Sequence, residues 1–238
     1  MRNYIILNGQ SSANINGLLI QELAPISKPQ QRTQVETIDG RAGDIVTPLG
    51  FAAYNKKVSI GLYGEYDIDE VIEFFNSDGE VTFSNEPDKY YKYQILAQID
   101  FERLIRFRTA SVTFHVQPFK YSTEQATRDF TPSADVQSIS VVNKGNIYAK
   151  PAVTVYGTGT VNLSLNGTQI LVIDLGETAN NITIDADALE AYTNTTANLA
   201  NRSVDGDYDN LKLKVGTNTI SWSGNVTKIT VANYSRWI

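Results

Sequence analysis

The chain has 238 residues, 42% of them hydrophobic and 19% charged, with a formal net charge of −6 and a pI near 4.9. This is folded globular sequence, long enough for one large or two ordinary domains, and its acidity argues against a protein that grips nucleic acid by its phosphates, though not against one that surrounds DNA without holding it. With no Cys and a single histidine, His115, it excludes disulfides, thiolate zinc sites, cysteine nucleophiles and multi-histidine metal centres.

The first residues, MRNYIILNGQ, hold a short apolar run that turns polar. This does not read as a signal peptide, and no later run is long enough to span a bilayer. The expectation is a soluble chain made in the cytoplasm, whatever its later destination.

TIDGRAGDIV, residues 37–46, places two glycines three apart around an arginine. A phosphate loop needs GxxxxGK[ST], or GxGxxG opening a helix. Here Gly43 leads instead into β-prone Asp-Ile-Val-Thr and then Pro48, with no lysine in place. Asp39-Gly40 is a hairpin signal, and the segment reads as a turn between strands.

Next come the strands. Val58, Ile60 and Leu62 share one face opposite Lys57, Ser59 and Gly61, and Val112, Phe114 and Val116 repeat the pattern opposite Thr113, His115 and Gln117. Residues 91–99, YKYQILAQI, form another β-rich run. Between these strands, Ile68, Val71, Ile72 and Phe75 follow helical spacing, with Asp67 as cap, Asp69 and Glu70 in the first turn and Asn76-Ser-Asp-Gly79 as the stop. The first domain is therefore expected to be a sheet with one short helix.

Composition then shifts. Residues 1–130 carry 13 Lys/Arg and 17 Asp/Glu, whereas residues 151–238 carry 13 charged side chains and 24 Asn and Thr. A linker at about 129–136, around Pro132 and Ser133, divides the chain into domains 1–130 and 131–238. The second domain reads as short strands at 152–156, 169–173, 211–215, 219–222 and 226–231. Turns at Asn166-Gly167, Gly216 and Gly224-Asn225 separate them, the pattern of a β-sandwich.

Candidate chemistry is sparse. Asp69 and Glu73 lie one helical turn apart on what should be the solvated face. His115 is on the polar face of its strand, with no serine or cysteine motif to activate. Asp205, Asp207 and Asp209 space like the start of a calcium loop, but Asn210 and Gly216 stand where an EF-hand needs Gly and Glu. Trp222 shares a strand face with Ile220, which suits a core better than a sugar platform. Seven Asn-x-Ser/Thr sequons, beginning at Asn162, follow from Asn/Thr-rich β composition. No catalytic, cofactor-binding or metal-binding residue is assigned.

Taken in order, Gly40-Arg-Ala-Gly43, the helix near 67–76, EVTFS (80–84), DKYYKYQIL (88–96) and ASVTFHVQPFKY (110–121, with Pro118, Phe119 and Tyr121) resemble the distal tail (Dit) proteins of long-tailed phages of Gram-positive bacteria. The segments 141–167, 207–224 and the terminal RWI (236–238) resemble the galectin-like C-terminal sandwich of that family. The resemblance implies a mainly β protein. Its N-terminal domain would be β-sandwich-like with one short helix, and its C-terminal domain a galectin-like (carbohydrate-binding-module-like) sandwich. It also implies a virion component that forms a homo-hexameric ring continuing the tail tube. The tape-measure protein and a tail-associated lysin or fibre would be its axial neighbours, and receptor-binding or baseplate proteins would dock on the outer domains. DNA would pass through the ring without specific binding, no membrane would be involved, and no enzymatic activity is expected. Unpaired sheet edges of residues 1–128 supply a physical reason to assemble, because a closed ring satisfies head-to-tail contacts without free ends. Two other readings stay open. One is a carbohydrate-binding adhesin using Tyr156, Tyr192 or Tyr208. The other is a wall hydrolase, which would need a carboxylate pair in a pocket.

Overall fold

The computed structural model describes residues 2–124, 126–133, 136–178, 180–233 and 235–238. They fall into two compact units, residues 2–123 with Ile238, and residues 124–237. The segment 126–130, which the sequence reading leaves at the end of the first domain, is a strand of the second. Its pairing with a distant strand, not its composition, decides where it belongs.

In the first unit β1 (Ile5–Leu7), β2 (Gln10–Ser11), β3 (Leu18–Glu22), β4 (Gln31–Glu36), β5 (Ile45–Phe51) and β6 (Tyr54–Leu62) precede helix α1 (Ile68–Phe74). β7 (Gly79–Phe83), β8 (Lys89–Gln94), helix α2 (Phe101–Phe107) and β9 (Thr109–Ser122) follow. The main sheet runs β2-β1-β7-β8-β9-β6-β3, and β4 and β5 pair only with each other. The alternation read from sequence is kept: Val58, Ile60, Val112, Phe114 and Val116 are fully buried. β6 and β9 pair in register from Tyr54↔Val116 to Gly61↔Thr109. Asp67 caps α1, its side chain accepting from the amides of Asp69 and Glu70.

Two details differ from expectation. The buried face of α1 is Val71, Phe74 and Phe75, whereas Ile72 is exposed, because the sheet lies against the Phe74 side of the helix. There is also a second helix. α2 is capped by Asp100, which accepts from the amide of Arg103 at 2.8 Å, and it ends at Arg108 in the left-handed conformation (φ 59°). It buries only Leu104 fully, so it leaves no long periodic stripe to read.

The second unit contains β10 (Ala126–Phe130), β11 (Ser138–Asn143), β12 (Ala152–Leu165), β13 (Thr168–Asp174), β14 (Asn180–Asp185), β15 (Glu190–Tyr192), β16 (Val204–Gly206), β17 (Gly216–Asn233) and β18 (Arg236–Trp237). The sheet order is β10-β17-β12-β13-β16, with β11 on β17 and β14 between β12 and β15. The sheet curls around Val155, Leu163, Ile173, Trp222 and Ile229. Trp222 is a core residue, packed edge-on to Phe130.

The expected strands 219–222 and 226–231 are one strand, β17. Gly224-Asn225 is not a turn but an irregularity at which β12 and β17 shift register. A Cβ at Gly157 would lie 2.0 Å from the Asn225 carbonyl oxygen, so glycine there lets the two backbones close up. Residues 211–215 are not a strand either. Leu211 and Leu213 are buried in alternation, but only Leu213 bridges, to Ala149. Asn166 (φ 52°) and Gly167 (φ 83°) do form the tight turn between β12 and β13.

Candidate assembly surface

The segment that turns at TIDGRAGD is an arm. β4 and β5 pair from Gln31↔Phe51 to Glu36↔Ile45 with one register shift near Arg32. Gly40 and Gly43 take positive φ in the turn, in open space. Thr37 Oγ1 donates to Asp44 Oδ1 at 3.0 Å across the neck of the turn. The turn therefore carries the geometry of a hairpin, with no helix to cradle a phosphate.

Both faces of the arm are open. Every residue of β4 is exposed, and β5 is half-buried only at its two ends. Thr33, Val35, Val46 and Pro48 share one face, and the cross-strand pair Val35–Val46 is 55% and 57% exposed. Ile38 and Leu49 add to this apolar surface. A two-stranded ladder with nothing packed on it is marginal in water. Exposed cross-strand valines signal a surface that works by being covered.

The root of the arm is fixed, by contrast. Lys56, 2% exposed, donates from Nζ to the Pro25 carbonyl at 2.9 Å. Its ammonium lies 5.0 Å from the Tyr91 ring, 5.4 Å from Phe83 and 5.9 Å from Tyr54. Asn85 Nδ2 donates to the Ala24 carbonyl at 3.1 Å, and Phe51 meets Phe119 edge-on. Beside Lys56, Glu86 accepts from Lys120 Nζ and from the Tyr91 hydroxyl, each at 2.8 Å, and all three side chains are buried. Burial pulls the Lys56 ammonium below the usual lysine range, the Glu86 carboxylate opposing and the Lys120 charge reinforcing the shift. Burial, then the bond to Glu86, pushes the Tyr91 phenol far upward. The segment entering the arm is thus clamped by charged and aromatic groups, while the arm itself projects.

A second uncovered surface lies on α2. Ile105 and Phe107 project from it, Phe107 being 70% exposed, and Leu96 stands 69% exposed before the helix. A groove of about 410 Å³ runs beside it, floored by Ile72, Phe75, Ile95, Ile99 and Phe101 and rimmed by Asn76, Ser77 and Asp78.

The chemistry-bearing residues do not gather. Asp69 and Glu73 are exposed on α1. His115 is half-buried, and its Nδ1 lies 2.9 Å from Asn55 Oδ1. Asp207 caps a turn by accepting from the Asp209 amide, and Asp209 is engaged by Lys212 and Lys150. Ammonium groups therefore stand where a calcium ion would need more oxygens. Among the described residues no three His, Asp or Glu side chains are placed to hold a metal ion. Tyr156 and Tyr192 share the outer face of β12, β14 and β15, but Tyr156 lies under the Lys228 ammonium, and Tyr208 packs elsewhere against the core. No helix among the described residues is long and apolar enough to cross a membrane.

The described residues thus form a mainly β chain of two units, the first of which carries an uncovered arm. Known structures share this architecture. The chain has the fold of the SPP1 Dit (gp 19.1) protein, described as a paradigm of hub adsorption apparatus in Gram-positive-infecting phages, at a TM-score of 0.67 and 19% identity over 100% of both chains. It also shares the fold of a chain of the phage P2 baseplate in its activated conformation with Ca, at a TM-score of 0.53 and 12% identity over 98% of both chains. The strontium form of the p2 baseplate gives a TM-score of 0.55 at 12% identity, covering 98% of this chain and 97% of that one. No protein-family model and no curated protein sequence matches. The fold expected from the ordered motifs, GRAG through QPFKY and on to RWI, is the fold observed.

Proposed function

We propose that this protein is a structural ring component of a phage tail tip. The first unit forms a hexameric ring that continues the tail tube, and the second unit serves as the bracket on which receptor-binding, baseplate and tail-associated proteins dock. The tape-measure protein and a tail lysin or fibre are its axial neighbours, and DNA passes through the ring. The protein does no chemistry. The observation that carries this reading is the likeness to the SPP1 hub protein along the whole of both chains. The arm supports it, since a clamped root and a bare apolar hairpin suit a contact made only on assembly. The net charge of −6 supports passage over capture of DNA, because an acidic surface repels phosphates.

Negative-stain images and the solution mass of the purified chain test the reading. Six-fold rings, with a mass near six times 26.3 kDa, are expected. A monomer at high concentration, or hydrolysis of cell-wall substrates by the purified chain, would overturn it.

A further inference from the structure

We infer that the arm of one copy seats on the α2 face of the next, so that each copy is donor at one end of its sheet and acceptor at the other. This rests on the ring reading and deepens it by naming both halves of the contact. Three observations within the first unit carry it.

The first is position. The arm springs from the Tyr54 end of β6, whereas α2 runs into Thr109, which pairs with Gly61 at the opposite end. Seven residues at about 3.3 Å each separate these ends by roughly 23 Å. Both surfaces are bare in a single copy, so a chain's own arm does not cover its own helix. A donor and an acceptor at opposite ends of one sheet give a head-to-tail contact, which closes into a ring when the rotation allows.

The second is apolar match. The arm offers Val35, Ile38 and Val46 on one face and in the adjoining turn, and the helix surface offers Leu96, Ile105 and Phe107. Each patch is too apolar for a wet surface and small enough to be covered by the other.

The third is charge. The arm's distal end carries Glu36, Asp39 and Asp44 against one Arg41, all exposed. The acceptor carries Arg103, Arg106 and Arg108 against Asp100 and Glu102, all exposed, with Asp100 capping the helix and Glu102 paired to Arg106. An acidic tip approaching a basic helix fixes the orientation of the apolar contact and disfavours tip-to-tip pairing.

The absence of cysteine makes the test clean. In the full chain carrying I38C and F107C together, mild oxidation or a short bis-maleimide should give a ladder of covalent multimers, while either single variant stops at dimers. Separately, R103E with R106E should raise the concentration needed for assembly about tenfold or more, and D39R with D44R should do the same. Combining all four should return it to within about threefold of the parent. Circular dichroism of each variant should match the parent, since all four side chains are exposed. Rings that form normally in R103E/R106E, with no ladder from the cysteine pair, overturn the α2 acceptor and leave the ring standing. A parent chain that never assembles overturns both.

Discussion

The two units bury polar groups in different proportions. The first unit encloses charge: Lys56, Glu86 and Lys120 lie within one cluster, linked through Tyr91. The second encloses chiefly amides, with Arg236 as a buried charge whose Nε donates to the Tyr148 carbonyl at 3.1 Å. Asn143 donates to the Ile147 and Leu213 carbonyls and accepts from the Gly145 amide. Asn218 donates to the Lys214 and Gly216 carbonyls and accepts from the Lys214 amide. An asparagine side chain satisfies a peptide group that a bend in the chain leaves unpaired, at no electrostatic risk. A buried lysine needs a carboxylate or a π face, and each member is costly once its partner goes. The fall in charged residues along the chain therefore goes with an interior satisfied more by amides than by charges.

That contrast breaks most visibly at Glu86. E86A should destabilise the first unit by about 3–5 kcal/mol in urea unfolding, because Lys120 and the Tyr91 hydroxyl lose their acceptor in a buried setting. The double variant with K120M should recover a large part of it; a loss under about 1 kcal/mol for E86A would mean water reaches the cluster. The matching change in the second unit is smaller. N218A should cost about 1–3 kcal/mol, the penalty for buried peptide groups left without partners, seen as faster hydrogen exchange around 214–219. An unchanged exchange pattern would mean that the bend at 214–216 holds without the Asn218 amide.

A third prediction concerns alkali. Burial raises the phenols of Tyr54, Tyr91 and Tyr93, so their contribution to stability is complete below the unfolded value of 10.0 and is lost as pH climbs beyond it. Lys56 has the opposite sign: its lowered value makes its burial less costly as pH rises, but only up to the unfolded 10.5, after which the phenols decide. The first unit should therefore unfold with alkali above the unfolded phenol value of 10.0. Y91F, which cannot form a buried phenolate, should move the midpoint upward relative to the parent, read by far-ultraviolet circular dichroism. A downward or zero shift would sink the assignment. The smallest effect on stability belongs to the arm. V46T, at a side chain that nothing in its own copy covers, should leave unfolding within about 0.5 kcal/mol of the parent while weakening assembly, and a large loss of monomer stability would show the arm to be packed after all.

Several elements could be read directly. The alternation at 58–62 and 112–116, Asp67 opening α1, and the Asn166-Gly167 turn are local signals whose physics acts over a few residues. Other elements could not. α2 has a cap at Asp100, a Phe101–Leu104 spacing and a Glu102–Arg106 pair, but a helix of only about two turns that fully buries one leucine leaves too short a period to count. Leu211 and Leu213 alternate like a strand because both are buried, yet burial came without a ladder. Gly224-Asn225 has turn chemistry, but β12 holds β17 straight through it. For the arm, TIDGRAGD announced the turn, while Val35 and Val46 were indistinguishable from core valines.

Sequence alone determined that this is a two-part, mainly β chain without thiol or multi-histidine chemistry, and the order of its motifs matched one kind of fold. Which valines lie bare, which lysines lie buried and where the second unit begins were decided only by the folded chain. Period and turn geometry depend on neighbours a few residues away, whereas exposure and charge burial depend on which distant surfaces meet: Lys56 on Pro25, Glu86 on Lys120, and nothing on Val46.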